Sequence, residues 1–201
     1  TIGRVAFYNA TSLTSVTIPS GVTSIGGDYT FYNATSLTSI TFGEDSQLIS
    51  IGNGAFSNAT SLTSITIPSG VTSIGTYAFA HTTSLTSVTF EENSQLTSIS
   101  EGVFTVSGLT SITIPDTVTS IGNYAFSNAT SLTSINIPSA VTSIGVSAFT
   151  SSGVTTVYLT EDLTIDGSEY KVGTSGLFFG KNVYFVKDLQ NLVNAGLLSL
   201  N

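Results

Sequence analysis

Few residues in this chain could do covalent chemistry, and their spacing settles the question early. Among 201 residues there is one histidine and no cysteine. The histidine, His81, lies in AFAHTTSL, where otherwise matching stretches carry Asn9, Asn33, Asn58 and Asn128. An activated Ser or Thr needs a positioned base, and the abundant hydroxyls find none apart from His81. A lone imidazole set into an asparagine series reads as a variant at the solvent edge, so no catalytic residue is expected. Zinc would need further imidazole or thiolate ligands, and no GxxxxGKS/T run is present to cradle phosphate. The reading is of a non-enzyme with no metal and no cofactor.

Two acidic stretches could be asked to hold calcium: TFGEDSQL, Thr41 to Leu48, and TFEENSQL, Thr89 to Leu96. Calcium takes six to eight converging oxygens. These stretches are separated by an intervening unit, roughly 10 Å if each step matches the ~4.8 Å strand spacing. Solvated turns are expected instead. Asn-Ala-Thr at Asn9, Asn33, Asn58 and Asn128 is a formal N-glycosylation acceptor. The expectation here is structural: each Asn bonds backbone between turns, which would make it a poor acceptor.

Composition narrows the partners. The net charge is −8 with only four Lys plus Arg, and a phosphate backbone is held by clustered cations. Nucleic acid and anionic lipid are therefore excluded as expected partners. Apolar runs are far shorter than the ~18 residues of a membrane span, so a mean hydropathy of +0.36 reports buried Ile, Val, Leu and Phe. Charged residues make up 8% and hydrophobic ones 40%, a balance that argues against disorder.

The elements that position all these residues follow from a repeat. Leu13, Leu37, Leu62, Leu85, Leu109 and Leu132, with Val154 in the same role, step by 24, 25, 23, 24, 23 and 22 residues. Phe7, Phe31, Phe56, Phe79, Phe104, Phe126 and Phe149 keep the rhythm, as do Ile25, Ile51, Ile74, Ile99, Ile121 and Ile144. Three registers persisting together predict a solenoid of about six and a half units, with every Phe of its file buried between neighbours. Within a unit, L-T-S-I-T-I predicts a short strand, ended by Pro19, Pro68, Pro115 or Pro138. V-T-S-I-G predicts a second short extended piece whose Gly turns at positive φ. The closing AF-x-N-A-T reads as a helical turn or 3₁₀ arc. The paired acidic stretches, 48 residues apart, suggest duplication of a double unit.

The pattern AF-x-N-x-x-SLTSI-x-IP-x-x-VTSIG-x-x-AF resembles the BspA-like leucine-rich repeat, also called the Treponema pallidum type, from about Ile2 to Tyr158. Many members of that family carry Cys after the Asn; Ala10, Ala34, Ala59, Thr82 and Ala129 stand there in this chain, where a small buried side chain suffices. The resemblance implies a right-handed curved array with parallel strands on the concave face and little helix. Residues 1–158 form the array, starting inside a unit as a processed fragment would, and 159–201 a capping segment. In the cap, LTIDGSEYKV predicts a hairpin around Asp166-Gly167. Asn182 to Val186 predicts a strand, and a helix follows from about Asp188 with Leu189, Leu192, Val193 and Leu197 on one face.

If Ile65 and Ile67 point inward, Ser64 and Thr66 point outward. Stacking gives one outward column of Thr17, Thr41, Thr66, Thr89, Thr113, Asn136 and Tyr158 beside another of Ser15, Ser39, Ser64, Ser87, Ser111, Ser134 and Thr156. The candidate ligand-binding residues are Thr17, Thr41, Ser64, Thr66, Ser87, Thr89, Ser111, Thr113, Asn136 and Tyr158. Hydroxyls on a pre-fixed backbone suit hydrogen bonding to sugars or extended peptide. The family resemblance implies an adhesin-like module, extracellular or at a cell surface, engaging a host or matrix protein or glycan; a monomer with no membrane insertion is expected. Two alternatives stand beside it: a spacer that displays another domain, and, less favoured, an ice-binding threonine array.

Overall fold

The computed structural model describes residues 1–159 and the strands Thr164–Ile165, Ser168–Glu169 and Asn182–Phe185. Seven coils follow one another. Their outer strands are Ser15–Ile18, Ser39–Phe42, Ser64–Ile67, Ser87–Phe90, Ser111–Ile112, Ser134–Ile137 and Thr156–Leu159. Behind six of these run two-residue strands: Ser24–Ile25, Ser50–Ile51, Ser73–Ile74, Ser98–Ile99, Ser120–Ile121 and Ser143–Ile144. The pairing between these coils is parallel and keeps the register of the repeat, mostly Ser to Ser and Ile to Ile or Val, with Ile18 opposite Phe42, Ile67 opposite Phe90 and Ser134 opposite Thr156. The result is a parallel β-solenoid, with no helix among the described residues.

Three apolar files expected from the sequence run through its interior, with Leu48, Val71, Leu96, Val118 and Val141 buried beside them. Phe31, Phe56, Phe79, Phe104 and Phe126 are fully buried and stack with their planes within 22° of parallel, ring centroids 5.2, 5.3, 5.9 and 5.6 Å apart. Leu37, Leu62, Leu85, Leu109 and Leu132 form the second file, and the repeated Ile the third. Ala34, Ala59, Ala129 and Thr82 are fully buried at the small-residue place, and the Thr82 hydroxyl donates to the Phe79 carbonyl at 2.6 Å. Phe7 departs from the expectation of burial: it is 39% exposed, since among the described residues only Phe31, at 4.8 Å, covers it.

The arc that closes each coil is neither a helical turn nor a 3₁₀ segment. Two residues per arc take left-handed backbone, one two places before the file Phe and one two places after it: Tyr29 and Asn33 around Phe31, Gly54 and Asn58 around Phe56, Tyr77 and His81 around Phe79. This alternation divides the amides between two kinds of partner. The N–H groups of Tyr29, Phe31 and Asn33 donate forward to Asn53, Ala55 and Ser57 of the next coil, while those of Tyr32 and Ala34 close turns onto Tyr29 and Phe31. The same forward triplet recurs from Tyr77, Phe79 and His81 to Glu101, Val103 and Thr105.

The glycine of V-T-S-I-G also has a different reason from the expected one. Gly52, Gly75, Gly122 and Gly145 are not at positive φ; the coils simply approach too closely for a side chain. A Cβ on Gly75 would lie 2.5 Å from the Asn53 amide nitrogen, and one on Gly145 2.3 Å from that of Asn123. Their N–H groups donate back to Ile51 and Ile121. Coil 4 carries Ser100 instead, and its hydroxyl donates to the Ile74 carbonyl in place of the amide. At that step the inner ladder stops, leaving two three-stranded pieces, 24–25 to 73–74 and 98–99 to 143–144.

Prolines interrupt the outer ladder by the same kind of accounting. Gly43 and Glu91, which follow the strands of coils 2 and 4, donate to Ile18 and Ile67 of the preceding coil. Pro68, Pro115 and Pro138 occupy the equivalent place in coils 3, 5 and 6 and have no N–H to give. Accordingly the outer strands separate into Ser15–Ile18 with Ser39–Phe42, then Ser64–Ile67 with Ser87–Phe90 and Ser111–Ile112, then Ser134–Ile137 with Thr156–Leu159 and Asn182–Phe185. The last strand adds a parallel rung beyond residue 158, Tyr158 opposite Tyr184. Thr164–Ile165 and Ser168–Glu169 pair antiparallel, as the Asp166-Gly167 signal predicts. The predicted helix from Asp188 lies outside the described residues. No helix among the described residues is long and apolar enough to cross a membrane.

Candidate interaction face

The alternation of L-T-S-I-T-I places its side chains as expected. Ile65 and Ile67 are 3% and 0% exposed, so Thr17, Thr41, Ser64, Thr66, Ser87, Thr89, Ser111, Thr113 and Asn136 all face solvent. Tyr158 is in register with Asn136, and its side chain lies outside the described residues. The column is not continuous. Thr17 and Thr41 are partners, with their hydroxyls 3.0 Å apart, and Thr66 pairs with Thr89. Thr41 and Thr66 are not ladder partners, nor are Thr89 and Thr113, because Pro68 and Pro115 withhold the amide that would close each step.

Where the ladder fails after Val88–Ile112 the face opens into a hollow of about 500 Å³. Ser87, Thr89, Ser111 and Thr113 are among its lining residues, joined by Glu91, Asp116 and Thr117. Four of the ten candidate residues are thus brought together. One Glu91 oxygen is engaged, accepting the Ser69 amide at 2.9 Å, which accounts for an acid at the start of the longer excursion. The other polar groups of the site are hydroxyls, Asn93 and Asp116, beside apolar Phe90 and Pro115, with no cation among its lining residues. Such a surface can accept and donate hydrogen bonds to polar or positively charged groups; it holds no nucleophile–base pair.

His81 is exposed, on left-handed backbone with φ of 58°. Asn, Asp and His tolerate that region best among residues with side chains, which is the physical reason His can replace Asn here. Contrary to the expectation from sequence, the side chains of these asparagines do not bond the backbone of a neighbouring coil. Their backbone N–H groups do so, while Asn33 Nδ2 donates to Asn9 Oδ1 at 2.9 Å and Asn128 Nδ2 to Ser127 Oγ at 3.1 Å. Among the described residues no three His, Asp or Glu side chains converge to hold a metal.

Sequence reasoning overlooks a row of exposed tyrosines, Tyr29, Tyr77 and Tyr124, 42%, 40% and 44% accessible. Their signal is in the register: each stands two residues before a file Phe, and Gly54 and Gly102 hold that place in coils 3 and 5. Tyr77 donates its hydroxyl to Glu101 Oε1 at 3.0 Å.

Comparison with known proteins agrees with this geometry. A family profile described as "BspA type Leucine rich repeat region" matches six copies, over residues 1–105 and 49–171. A leucine-rich cell surface protein from Faecalibacterium prausnitzii is 38% identical, with a TM-score of 0.73, covering 87% of this chain and 47% of that one. A leucine-rich repeat protein from Bacteroides ovatus, 24% identical over 82% of this chain and 54% of that one, has a TM-score of 0.59. The T. pallidum leucine-rich repeat protein, 22% identical over 98% and 76%, has a TM-score of 0.56. The last two are similar in fold. The chain spans about half the length of the first two structures. No curated protein matches it significantly.

Proposed function

This chain belongs to the BspA-type leucine-rich repeat family, and on that premise we propose that it is a non-enzymatic, extracellular adhesin-like module that holds a protein or glycan on its outer-strand face. Residues 159–201 act as its cap, shielding the last rung of the stack. The observation that carries the reading is the hollow between coils 4 and 5, where exposed Ser87, Thr89, Ser111 and Thr113 meet Glu91 and Asp116. The backbone beneath is fixed by the buried files, so a ligand is met by hydroxyls already in place and little ordering remains. An ice-binding array would need an unbroken threonine lattice, and the proline-interrupted ladder does not supply one.

The test is solid-phase binding of the chain to immobilised matrix glycoproteins and a glycan panel. Replacing Ser87, Thr89, Ser111 and Thr113 together by Ala should weaken any bound partner about tenfold or more. Binding that survives this change undiminished would move the contact elsewhere. A chain that captures nothing from either panel would favour the spacer, which near-identical units also suit.

A further inference from the structure

The arc side of the coils carries a second surface that shares no lining residue with the hollow on the strand face. Tyr29 and Tyr77 stand on left-handed backbone with their rings exposed. Gly54, in the coil between them, is at φ 55°, and a Cβ there would lie 2.6 Å from the Tyr29 ring. The Tyr29 ring therefore lies over the next coil, in the place that a side chain at residue 54 would take. Beside the ring lies a groove of about 440 Å³. Tyr29 and Tyr32, edge to face at 5.4 Å, form one side, and Tyr77 with His81 borders the other, over Ser57 and Asn58.

We propose that this groove binds a proline-rich segment in the polyproline II conformation that carries basic residues. Aromatic-lined grooves take such segments because the ligand is pre-formed and its carbonyls are free. The spacing fits: the Phe rings beneath step by 5.2 and 5.3 Å from coil 2 to coil 4, so the tyrosines recur at roughly 10 Å, close to the ~9.3 Å of three polyproline II residues. Asn58 supplies a side-chain donor between the rings, and His81 a polar group beside Tyr77. The charge also fits. Asp28 adjoins Tyr29, and Glu101 accepts the Tyr77 hydroxyl. Arg4 is the single Lys or Arg in residues 1–159. Carboxylates beside the rings attract a cationic peptide and repel anionic glycans, while a neutral glycan gains nothing from them.

Titration calorimetry on the whole chain tests this with three probes: a decaproline peptide with one lysine at each end, a Gly-Ser peptide of the same length and charge, and a neutral hexasaccharide. The decaproline peptide is expected to bind at least about tenfold more tightly than either control, and the affinity should fall about tenfold in Tyr29→Ala and in Tyr77→Ala. The quadruple Ala variant of the strand-face hollow should bind it like the wild type, which separates this site from the one proposed above. In the wild-type chain, amide resonances of Asn58 and His81 should shift on titration while those of Ser87 and Thr113 stay, a readout that does not depend on how a variant folds. Equal affinity for the Gly-Ser peptide, tighter binding of the hexasaccharide, or shifts confined to the strand face would overturn the proposal.

Discussion

The phenol of Tyr77 shows how one contact sets a measurable property. Its hydrogen bond to Glu101, then desolvation, then the negative charges of Glu101 and an ionised Tyr124 hold its pKa above the usual tyrosine value. A proton bound more tightly in the fold stabilises the fold: that contribution is complete below about pH 10 and is lost as pH rises through the folded value. Glu101→Gln should return the titration toward about 10, read as the phenolate absorbance difference between each protein and its Tyr77→Phe counterpart. No movement would mean that the carboxylate is not the cause. Backbone strain sits at the same scale. Val106 occupies left-handed backbone at φ 55°, where β-branched residues are strained. Val106→Asn should raise stability by about 1 kcal/mol, whereas His81→Asn should stay within about 0.5 kcal/mol, both by denaturant midpoint.

Strands and arcs differ in how openly the sequence declares them. The Phe, Leu and Ile files are legible because three registers persist at one step, and burial confirms each from Phe31 onward. The arc is not, because a helical turn and a pair of turns separated by left-handed residues leave the same i, i+3 impression. Gly54 and Gly102 aligned with Tyr29 and Tyr77 are the clue that distinguishes them. Proline declares that its own strand ends; that it also withholds a donor from the coil before it becomes visible only when the facing carbonyl is known. So the hydroxyl column reads as continuous from sequence and is interrupted in the fold, and the hollow among Thr89, Thr113 and Asp116 is a consequence of Pro115. Ser100 is the inner-ladder counterpart. Ser100→Ala should leave the Ile74 carbonyl without its hydroxyl donor and cost about 1–3 kcal/mol, while Ser100→Gly, which allows the close approach by which Gly75 and Gly145 donate their own N–H, should cost less. Equal effects of the two in a urea titration would show that the hydroxyl does not serve this carbonyl.

Over the whole molecule, stability is a sum of interfaces between adjacent coils. Phe79 is covered on both sides, at 5.3 and 5.9 Å, and Phe79→Ala should cost about 3–5 kcal/mol. Phe7, covered on one side and partly exposed, should cost about 1–2 kcal/mol on the same change. A reversed order in thermal or urea denaturation would mean that the aromatic file is not what holds the coils in place. The forward-donating amides of the arc have an electrostatic result as well. Three peptide units per coil point their N–H toward the higher-numbered coil, so their dipoles add head to tail as in an α-helix but with opposite sense along the chain. The positive pole of the arc therefore lies toward Phe149, while the amides of Thr38, Gln47, Ile49 and Gly52, which donate to the preceding coil, point the other way, so that the two sides of the solenoid carry opposed dipoles.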